Sequence, residues 1–243
     1  ISNDDVLAKI ENQPMFVRFL DEKQPLNEDQ ILHYYKHSTG YGAPTPSGQV
    51  TDPEKVHQLL TMDTKHDLGS RVSNVGIEIS DDLAKRVVKD NPEFISNCKP
   101  QLQDDKDLVL SVFEKPNNKY LLGSVSERLR SDKEVVEKAM QSNVNNFQYA
   151  ATIIQDDKDF AMKAVSQSGR LLHHTSDRLK ADKEVVLAAC KQSTWASGYA
   201  HPSIKELYKD KDPVQALEAA IRMEKMQEQL KPKAPSQTRA MKI

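Results

Sequence analysis

A tripeptide made of aspartate, lysine and a second acid recurs along the chain from residue 105 onwards. Its copies begin at Asp105, Asp132, Asp157, Asp182 and Asp210. Successive copies are therefore 27, 25, 25 and 28 residues apart, a shorter period than that of tetratricopeptide or ankyrin repeats. This repetition predicts an array of similar small units rather than a fold built around one core.

Each copy is followed by apolar residues at the same offsets, which are three, four, seven and eight positions after the aspartate. After Asp182 these positions hold Val185, Val186, Ala189 and Cys190. Such offsets lie on one face of an α-helix, and the aspartate can cap the start of that helix. A second apolar pattern fills the rest of each unit, so the sequence predicts that each unit is a helical hairpin.

Two weaker copies precede the five clear ones. One begins at Ser80 and the other at Asp52, and both are followed by aliphatic residues at the helical offsets. Eighteen positions after the start of most copies the residue is small, which predicts that two helices approach closely there. These small residues are Cys98, Gly123, Ala150, Thr175 and Ala200.

The N-terminal segment does not follow the repeat. Helices are predicted to start at Ser2 and at Asn27, and Pro14 is predicted to begin a separate apolar segment that ends at Leu20. Glycines and prolines between residues 39 and 49 cannot lie in a helix and predict a loop. This loop is expected to join an N-terminal helical cap to the repeat array.

The C-terminal end is predicted to be one long charged helix over residues 212–230. Its inward face is expected to hold Val214, Leu217, Ala220 or Ile221, and Met226. After it the chain is basic and contains two prolines, which is typical of disorder. The predicted divisions are an N-terminal segment over 1–50, a helical repeat array over 51–230 and a tail over 231–243.

The composition agrees with a thin array of helices. Hydrophobic residues make up 37% of the chain and aromatic ones 6%, and the mean hydropathy is -0.67, which is little for one thick core. The 8 glycines are too few for a turn-rich β-sandwich. We therefore predict an all-α fold, an α-solenoid-like stack of short helical hairpins with an N-terminal helical cap.

One segment, Ala181 to Ser193, resembles the consensus of a bacterial repeat family known as domain of unknown function 4116. The copies at Asp132 and Asp157 match it well, whereas Pro213 interrupts the last copy. The resemblance extends over residues 80–215. It implies an α-helical repeat of the kind found in proteins that intracellular bacteria such as Legionella deliver into host cells, with no assigned chemistry.

The two cysteines, Cys98 and Cys190, are too few for a disulfide framework and lack the spacing of a zinc site. Both fall at core positions of the repeat, so we predict that they are buried. Their number indicates a reducing compartment of cytoplasmic type. The family resemblance implies in addition that bacteria secrete the protein into the host cytosol.

Charge and hydropathy argue against two classes of partner. The formal net charge is -2 and the sequence pI is about 6.4, so no global charge favours nucleic acid. No apolar run approaches the length of roughly 20 residues that a membrane-spanning helix needs, and membrane insertion is not expected.

Gly40 and Gly42 lack the third glycine of a dinucleotide site.

His33 and His37 are four residues apart on a predicted helix, a spacing that suits two zinc ligands. No acid lies between them as in H-E-x-x-H sites, so no metal or cofactor is assigned. With Tyr34 and Tyr35 they are the candidates for an alternative function. In that alternative, an enzyme has its catalytic site in the N-terminal segment and uses the repeats as a scaffold.

Trp195 lies at the corner between two helices, where sister units have polar residues such as Asn145 and Arg170. An exposed tryptophan is a favoured anchor at protein interfaces. On the residues alone, the favoured interpretation is that Trp195 folds back over the last hairpin, where small residues leave space. The candidate partner-binding residues are Trp195, Tyr199, His201 and Arg170.

Four basic residues near the unit junctions could form a stripe that faces phosphates. Glu127, Asp177 and the acids of the repeated tripeptide alternate with them, so we predict a solvated, salt-bridged face instead. The four are Arg128, Arg130, Arg178 and Lys180.

The sequence thus predicts a protein–protein interaction module of a bacterial, effector-like protein. It is expected to bind a host protein or another bacterial effector through the surface of the array. No catalytic residue is assigned and no reaction is predicted. Besides the enzyme described above, a nucleic-acid-binding helical repeat is a further alternative, which the balanced charge disfavours.

Overall fold

The computed structural model describes residues 3–13, 17, 25–38, 45–62, 68–114 and 120–230. Across these residues the chain is all-α, as predicted, with an isolated parallel bridge between Val50 and Val75 in place of any sheet. None of the helices in this part of the chain is both long and apolar enough to cross a membrane. The chain divides into two compact units, Ile1–Asn143 and Val144–Ile243.

The first unit begins with the non-repetitive helices and continues into the repeats. Contacts follow chain order, since α1 packs on α2, α2 on α3, α3 on α5, α5 on α7 and α7 on α9. The helices are α1 (Asn3–Asn12), α2 (Glu28–His37), α3 (Pro53–Thr61), α4 (Leu68–Val72), α5 (Asp81–Asp90), α6 (Pro100–Gln103), α7 (Lys106–Val112), α8 (Glu127–Arg130) and α9 (Lys133–Ser142), with the 3-10 helices η1 (Pro92–Asn97) and η2 (Leu121–Ser124).

The second unit contains the most regular repeats. Its helices are α10 (Thr152–Gln155), α11 (Lys158–Gln167), α12 (Asp177–Lys180), α13 (Lys183–Gln192), α14 (Pro202–Lys205) and α15 (Pro213–Leu230), with the 3-10 helices η3 (Val144–Tyr149), η4 (Gly169–His174), η5 (Thr194–Tyr199) and η6 (Glu206–Tyr208). Here α11 packs on α13 and α13 on α15, while η3 packs on η4 and η4 on η5.

Each regular repeat consists of three helical pieces instead of a simple hairpin. In the repeat that begins at Asp157, α11 is followed by η4 and then by α12. Thr175 has an extended backbone (φ −78°, ψ 163°) that ends η4, and the Ser176 side chain then caps α12. The second arm of the predicted hairpin is therefore split into a 3-10 helix and one turn of α-helix.

The aspartate of the repeated tripeptide caps the long helix of each repeat, as predicted. Oδ1 of Asp132 accepts hydrogen bonds from the backbone N–H groups of Glu134 (3.0 Å) and Val135 (3.2 Å). Asp157 and Asp182 make the same pair of bonds at the starts of α11 and α13. These bonds satisfy amides that a helix leaves without an intrahelical partner.

The predicted apolar faces are buried. The weaker copies are confirmed too, since Ser80 and Asp52 cap α5 and α3. Cys98 and Cys190 are buried free thiols, and burial raises the pKa of each to about 11. The buried helix faces include Val56, Leu59 and Leu60 of α3, Leu83, Ala84, Val87 and Val88 of α5, Val135, Val136, Ala139 and Met140 of α9, Phe160, Ala161, Ala164 and Val165 of α11, and Val185, Val186, Ala189 and Cys190 of α13.

One of the predicted small contact positions is wrong. Gly123 is exposed, and Val125 takes the buried place just after the 3-10 helix of its repeat. The repeat that begins at Asp105 is two residues longer than the next two, so counting forward from its aspartate misses the position. Counting back seven residues from the next aspartate aligns Val125 with Ala150 and Thr175, which are buried.

The last repeat also starts later than its tripeptide predicts. Asp210 lies in a turn with a positive φ of 60°, and Asp212 accepts a hydrogen bond from the N–H of Gln215 (2.8 Å) at the start of α15. Pro213 occupies the first helical position, where its missing N–H costs nothing. Met226 is 56% exposed and does not face inwards, whereas Leu217 is fully buried.

The N-terminal helices begin as predicted where the structure describes them. Asn27 and Gln30 form a reciprocal capping box at the start of α2, with both side chain to backbone bonds at 3.0 Å. Val6 and Ile10 of α1 are buried. The start at Ser2, most of the apolar segment after Pro14, the loop over 39–44 and the tail over 231–243 lie outside the described residues.

Candidate interaction surface

The N-terminal ends of the long helices are joined by lysine clasps. In the first unit, Nζ of Lys106 lies 2.8 Å from a carboxylate oxygen of Asp132 and 2.8 Å from one of Glu134. This contact lowers the pKa of the Asp132 carboxyl. The lysine of one tripeptide thus binds both acids of the next, a role that its spacing alone did not reveal.

The second unit repeats this clasp. Nζ of Lys158 lies 2.8 Å from both Asp182 and Glu184, and Lys183 forms an ion pair with Glu224 of α15. A cleft between the helix starts and α15 is lined by these same charged residues and by Ile221. Opposite charges are paired across this edge of the unit, so the clasps serve to hold successive helices together.

The basic residues at the junctions between successive repeats are also paired, as predicted. Nε of Arg128 lies 3.0 Å from Oδ1 of Asp104, and Nε of Arg178 lies 3.0 Å from Oδ1 of Asp156. Hydrogen bonds from Ser126 and then from Arg128 lower the pKa of Asp104. Arg130 pairs with Glu127 and Lys180 with Asp177. This is the solvated, salt-bridged face that the sequence indicated.

The 3-10 helices η4 and η5 form a different kind of surface. Gly169 fixes the start of η4 against α13, because its N–H donates to Oε1 of Gln192 (2.7 Å). A Cβ at Gly169 would lie 2.5 Å from the carbonyl oxygen of Ala189, so no larger residue fits. Leu171, Leu172 and Ala196 are buried beneath the two helices.

Trp195 projects from this surface into solvent. Trp195 is the second residue of η5, and it is 86% exposed. The prediction that it folds back over the last hairpin is therefore wrong. The neighbouring Ala196 is the η5 residue that enters the core. Arg170, at the second position of η4, is exposed as well.

Tyr199 lies at the end of η5 and is 39% exposed. Its ring centroid is 5.2 Å from that of His173, which is exposed and whose own ring is 5.1 Å from His174. The hydroxyl of Tyr208 donates to the carbonyl oxygen of Ser197 (2.8 Å) and holds the backbone of η5. The contacts of His173 and Tyr208 were not predicted from the sequence.

His201 has a local structural role. Its Nδ1 accepts a hydrogen bond from the N–H of Ser203 (3.3 Å) and caps α14, and its backbone N–H donates to the carbonyl oxygen of Lys180 (2.9 Å). The ring is exposed but already engaged. We therefore define the corner surface as Arg170, His173, Trp195 and Tyr199, which lie on η4 and η5.

The N-terminal candidates form part of a buried polar cluster. Tyr34 and Tyr35 are fully buried, and the hydroxyl of Tyr35 donates to Oδ1 of Asn74 (2.7 Å). Nδ2 of Asn74 donates to the carbonyl oxygens of Pro46 (2.9 Å) and Gly48 (2.8 Å). These contacts fix the chain before α3, and no sequence pattern pointed to this role of Asn74.

Arg71 is a second buried polar residue in this region. Its Nη1 donates to the carbonyl oxygens of Leu59 (3.3 Å), Leu60 (3.2 Å) and Met62 (3.0 Å). These carbonyls lie at the C-terminal end of α3, where a helix leaves acceptors without intrahelical partners. Arg71 therefore ends α3 in the way that a capping residue would.

His33 and His37 stack on each other at the end of α2. Their ring centroids are 4.3 Å apart, and burial and the neighbouring His37 lower the pKa of His33. Across the described ranges, no group of three or more histidine, cysteine or acidic side chains is arranged to hold a metal ion.

Two consecutive segments of the chain, residues 115–155 and 157–205, match the family described as Domain of unknown function (DUF4116). The second segment spans the repeats that begin at Asp157 and Asp182, and with them the corner surface. No curated protein and no solved structure gives a significant match to the chain. The match supports the resemblance to this family over residues 115–155 and 157–205 of the chain.

Proposed function

We propose that this protein is an interaction module that binds a partner protein through the corner surface. The observation that carries the proposal is the exposure of Trp195, which is 86% accessible although tryptophan is the largest apolar side chain. Tryptophan, tyrosine and arginine are the residues that most often dominate binding energy at interfaces. Three of the four residues of the corner surface are of these types.

Trp195 lies outside the core of its repeat. The core beneath it is filled by Ala196 and by aliphatic residues of α13, and the equivalent position of the preceding repeat holds a polar residue, Arg170. An aromatic ring at a position that packing leaves free has its apolar surface available for a partner. Tyr199 and His173 extend this surface with two further rings.

The architecture suits such a role. Stacked helical repeats commonly bind other proteins through an extended surface, and we propose that the whole array is arranged as an α-solenoid. By the family resemblance, we also propose that the protein acts as a bacterial effector in the cytosol of a host cell. Its partner would then be a host protein or another effector.

The test is a quantitative capture experiment in which the full chain is immobilised. It compares three forms, which are the unchanged chain, Trp195→Ala and a control variant. We expect the Trp195→Ala variant to lose most of a protein that the unchanged chain retains from host or bacterial lysate. The control variant is Ile153→Ala, because Ile153 is also exposed and apolar but lies on α10. Equal retention of every captured protein by all three forms would contradict the proposal.

A second readout separates binding from catalysis. A purified partner should bind with a dissociation constant that Trp195→Ala raises by at least about tenfold, which corresponds to losing about 1.4 kcal/mol of binding free energy. If the purified chain instead turned over a substrate and Trp195→Ala left that activity and all protein binding unchanged, the interaction proposal would be wrong.

A further inference from the structure

We infer that the corner surface recognises an acidic segment of its partner, in which carboxylates flank an apolar side chain. This inference rests on the proposed function and specifies the chemistry of the partner.

Acids are absent from the parts of the second unit that form the corner surface. Residues 160–176 and 185–205 contain no aspartate or glutamate, and the next acid along the chain is Glu206. The first stretch includes η4 with Arg170 and two histidines, and the second includes η5 with Trp195 and Tyr199. A partner's carboxylate near this surface therefore meets no acid contributed by either stretch.

Arg170 differs from the arginines of the repeat junctions. Arg128 and Arg178 each form an ion pair with an aspartate. The Arg170 side chain is exposed, and it forms no ion pair or hydrogen bond with the residues that the structure describes. An uncompensated guanidinium can bind a carboxylate through two parallel hydrogen bonds.

The aromatic residues of the corner surface favour a partner segment that carries an apolar side chain beside its carboxylates. Trp195 exposes most of its ring, and Tyr199 and His173 lie with their rings tilted by 53° and a centroid distance of 5.2 Å. An apolar side chain packed on Trp195 would remove apolar area from water, and charged neighbours on that segment would lie over the acid-free stretches.

A protein segment fits better than a nucleic acid. Nucleic-acid affinity depends on neutralising several phosphates with lysine and arginine. The corner surface offers one arginine, Arg170. Lys191, the last lysine before η5 along the chain, is already paired with Glu218. A single unpaired arginine complements a few carboxylates on a short protein segment better than a row of phosphates.

The test uses Trp195 as its own reporter, since it is the chain's single tryptophan. The full chain is titrated with a peptide of sequence Gly-Asp-Glu-Phe-Glu-Asp-Gly and, separately, with the amide-matched peptide Gly-Asn-Gln-Phe-Gln-Asn-Gly. Neither peptide contains tryptophan, so any change in emission comes from Trp195. We expect the acidic peptide to bind at least about fivefold more tightly, with an advantage that falls at high ionic strength.

The variant Arg170→Gln should remove most of that advantage while the neutral peptide binds as before. Arg222→Gln is the matched control, because Arg222 is an exposed arginine on α15. It should behave like the unchanged chain. Far-UV circular dichroism of both variants should show the same helix content, since neither side chain is buried.

The outcomes distinguish the inference from the proposed function. If both peptides bind equally, if neither binds, or if a single-stranded oligonucleotide of equal charge binds more tightly, the acidic-segment inference is overturned. The proposed function would still stand if Trp195→Ala abolished capture of a protein partner. If Trp195→Ala changed no capture at all, the proposed function itself would fail.

Discussion

The chain before Ser80, which includes the weak repeat copy at Asp52, and the repeats after it are stabilised by different contacts. In the first, the buried side chains of Asn74 and Arg71 bind backbone carbonyls of irregular chain and of the end of α3. In the repeats, aliphatic faces such as that of α13 pack on the next long helix, and charged side chains lie at the helix ends.

The difference shows where a repeat protein has freedom to evolve a binding surface. Each repeat obtains its core from a few apolar positions on the long helix and the 3-10 helix, so the exposed residues of the 3-10 helices are not required for packing. The chain before Ser80 has no such spare positions around Asn74, because its polar side chains are themselves the structural contacts. This contrast leads to four predictions.

The largest expected effect is on the repeat core. Phe147 of η3 is fully buried, so Phe147→Ala should lower the local free energy of unfolding by about 3–5 kcal/mol through lost transfer energy and a cavity. Hydrogen exchange of the α11 and η4 amides would measure this. Phe147→Leu, which keeps most of the volume, should cost less than half as much. Equal losses for both variants would contradict a closely packed core around Phe147.

The next effect is on the polar cluster. Asn74→Ala would leave the buried Tyr35 hydroxyl and the carbonyls of Pro46 and Gly48 without their partner, at an expected cost of about 2–4 kcal/mol. Hydrogen exchange should lose protection in α2 and at Val50. Asn12→Ala is the control, because Asn12 is exposed and should change stability little. A neutral Asn74→Ala would remove the contrast between the two regions.

A smaller effect should appear as a pH dependence of the N-terminal segment. Oε1 of Glu28 accepts hydrogen bonds from the Thr51 N–H (2.7 Å), the Thr51 hydroxyl (2.7 Å) and the Asp52 N–H (3.1 Å), which lower its pKa to about 2. A carboxyl with a lowered pKa stabilises the folded state above its unfolded pKa, near 4.5, and loses that contribution as the pH falls towards 2.

The variant Glu28→Gln should therefore be less stable than the unchanged chain at neutral pH, and the two should converge as the pH falls from about 4.5 to about 2. Urea unfolding at a series of pH values measures the difference. Glu93→Gln, at an exposed acid of η1, serves as the control. A stability difference that did not change across this window would rule out the assigned role of Glu28.

The smallest effect on stability is expected at the corner surface. Trp195→Ala should change the free energy of unfolding by less than about 0.5 kcal/mol, because the ring makes few contacts within the folded chain. Urea unfolding followed by circular dichroism measures this without relying on tryptophan emission. A loss comparable to that of Phe147→Ala would mean that Trp195 is a core residue and not an exposed anchor.

Much of the repeat could be predicted because its determinants are local. The capping aspartate and the apolar residues after it lie within one helix, so spacing alone identified the faces that Val185 and Val186 share with their sister residues. Gly123 was misplaced because an insertion inside one repeat shifts the count. The 3-10 helices were not predicted, since their short period resembles that of a second α-helix.

The N-terminal cluster could not be predicted because its partners are distant in sequence. Tyr35 and Asn74 are 39 residues apart, and Asn74 lies 28 residues from Pro46. The clasp from Lys106 to Asp132 spans 26 residues and needs the helix packing to become apparent. At the corner surface the sequence singled out Trp195 and Arg170, but the exposure of Trp195 depended on which neighbour, Trp195 or Ala196, enters the core.

The most direct test of the central claim is acrylamide quenching of the single tryptophan, with and without a saturating amount of a captured, purified partner. The partner should lack tryptophan. If it contains tryptophan, the chain is labelled with 5-fluorotryptophan so that its emission can be told from that of the unlabelled partner. In the free chain we expect quenching near that of a solvent-exposed indole. Partner binding should reduce the quenching constant severalfold. Strong protection in the free chain, or quenching that a saturating partner leaves unchanged, would contradict the assignment of Trp195 as the anchor of the interaction surface.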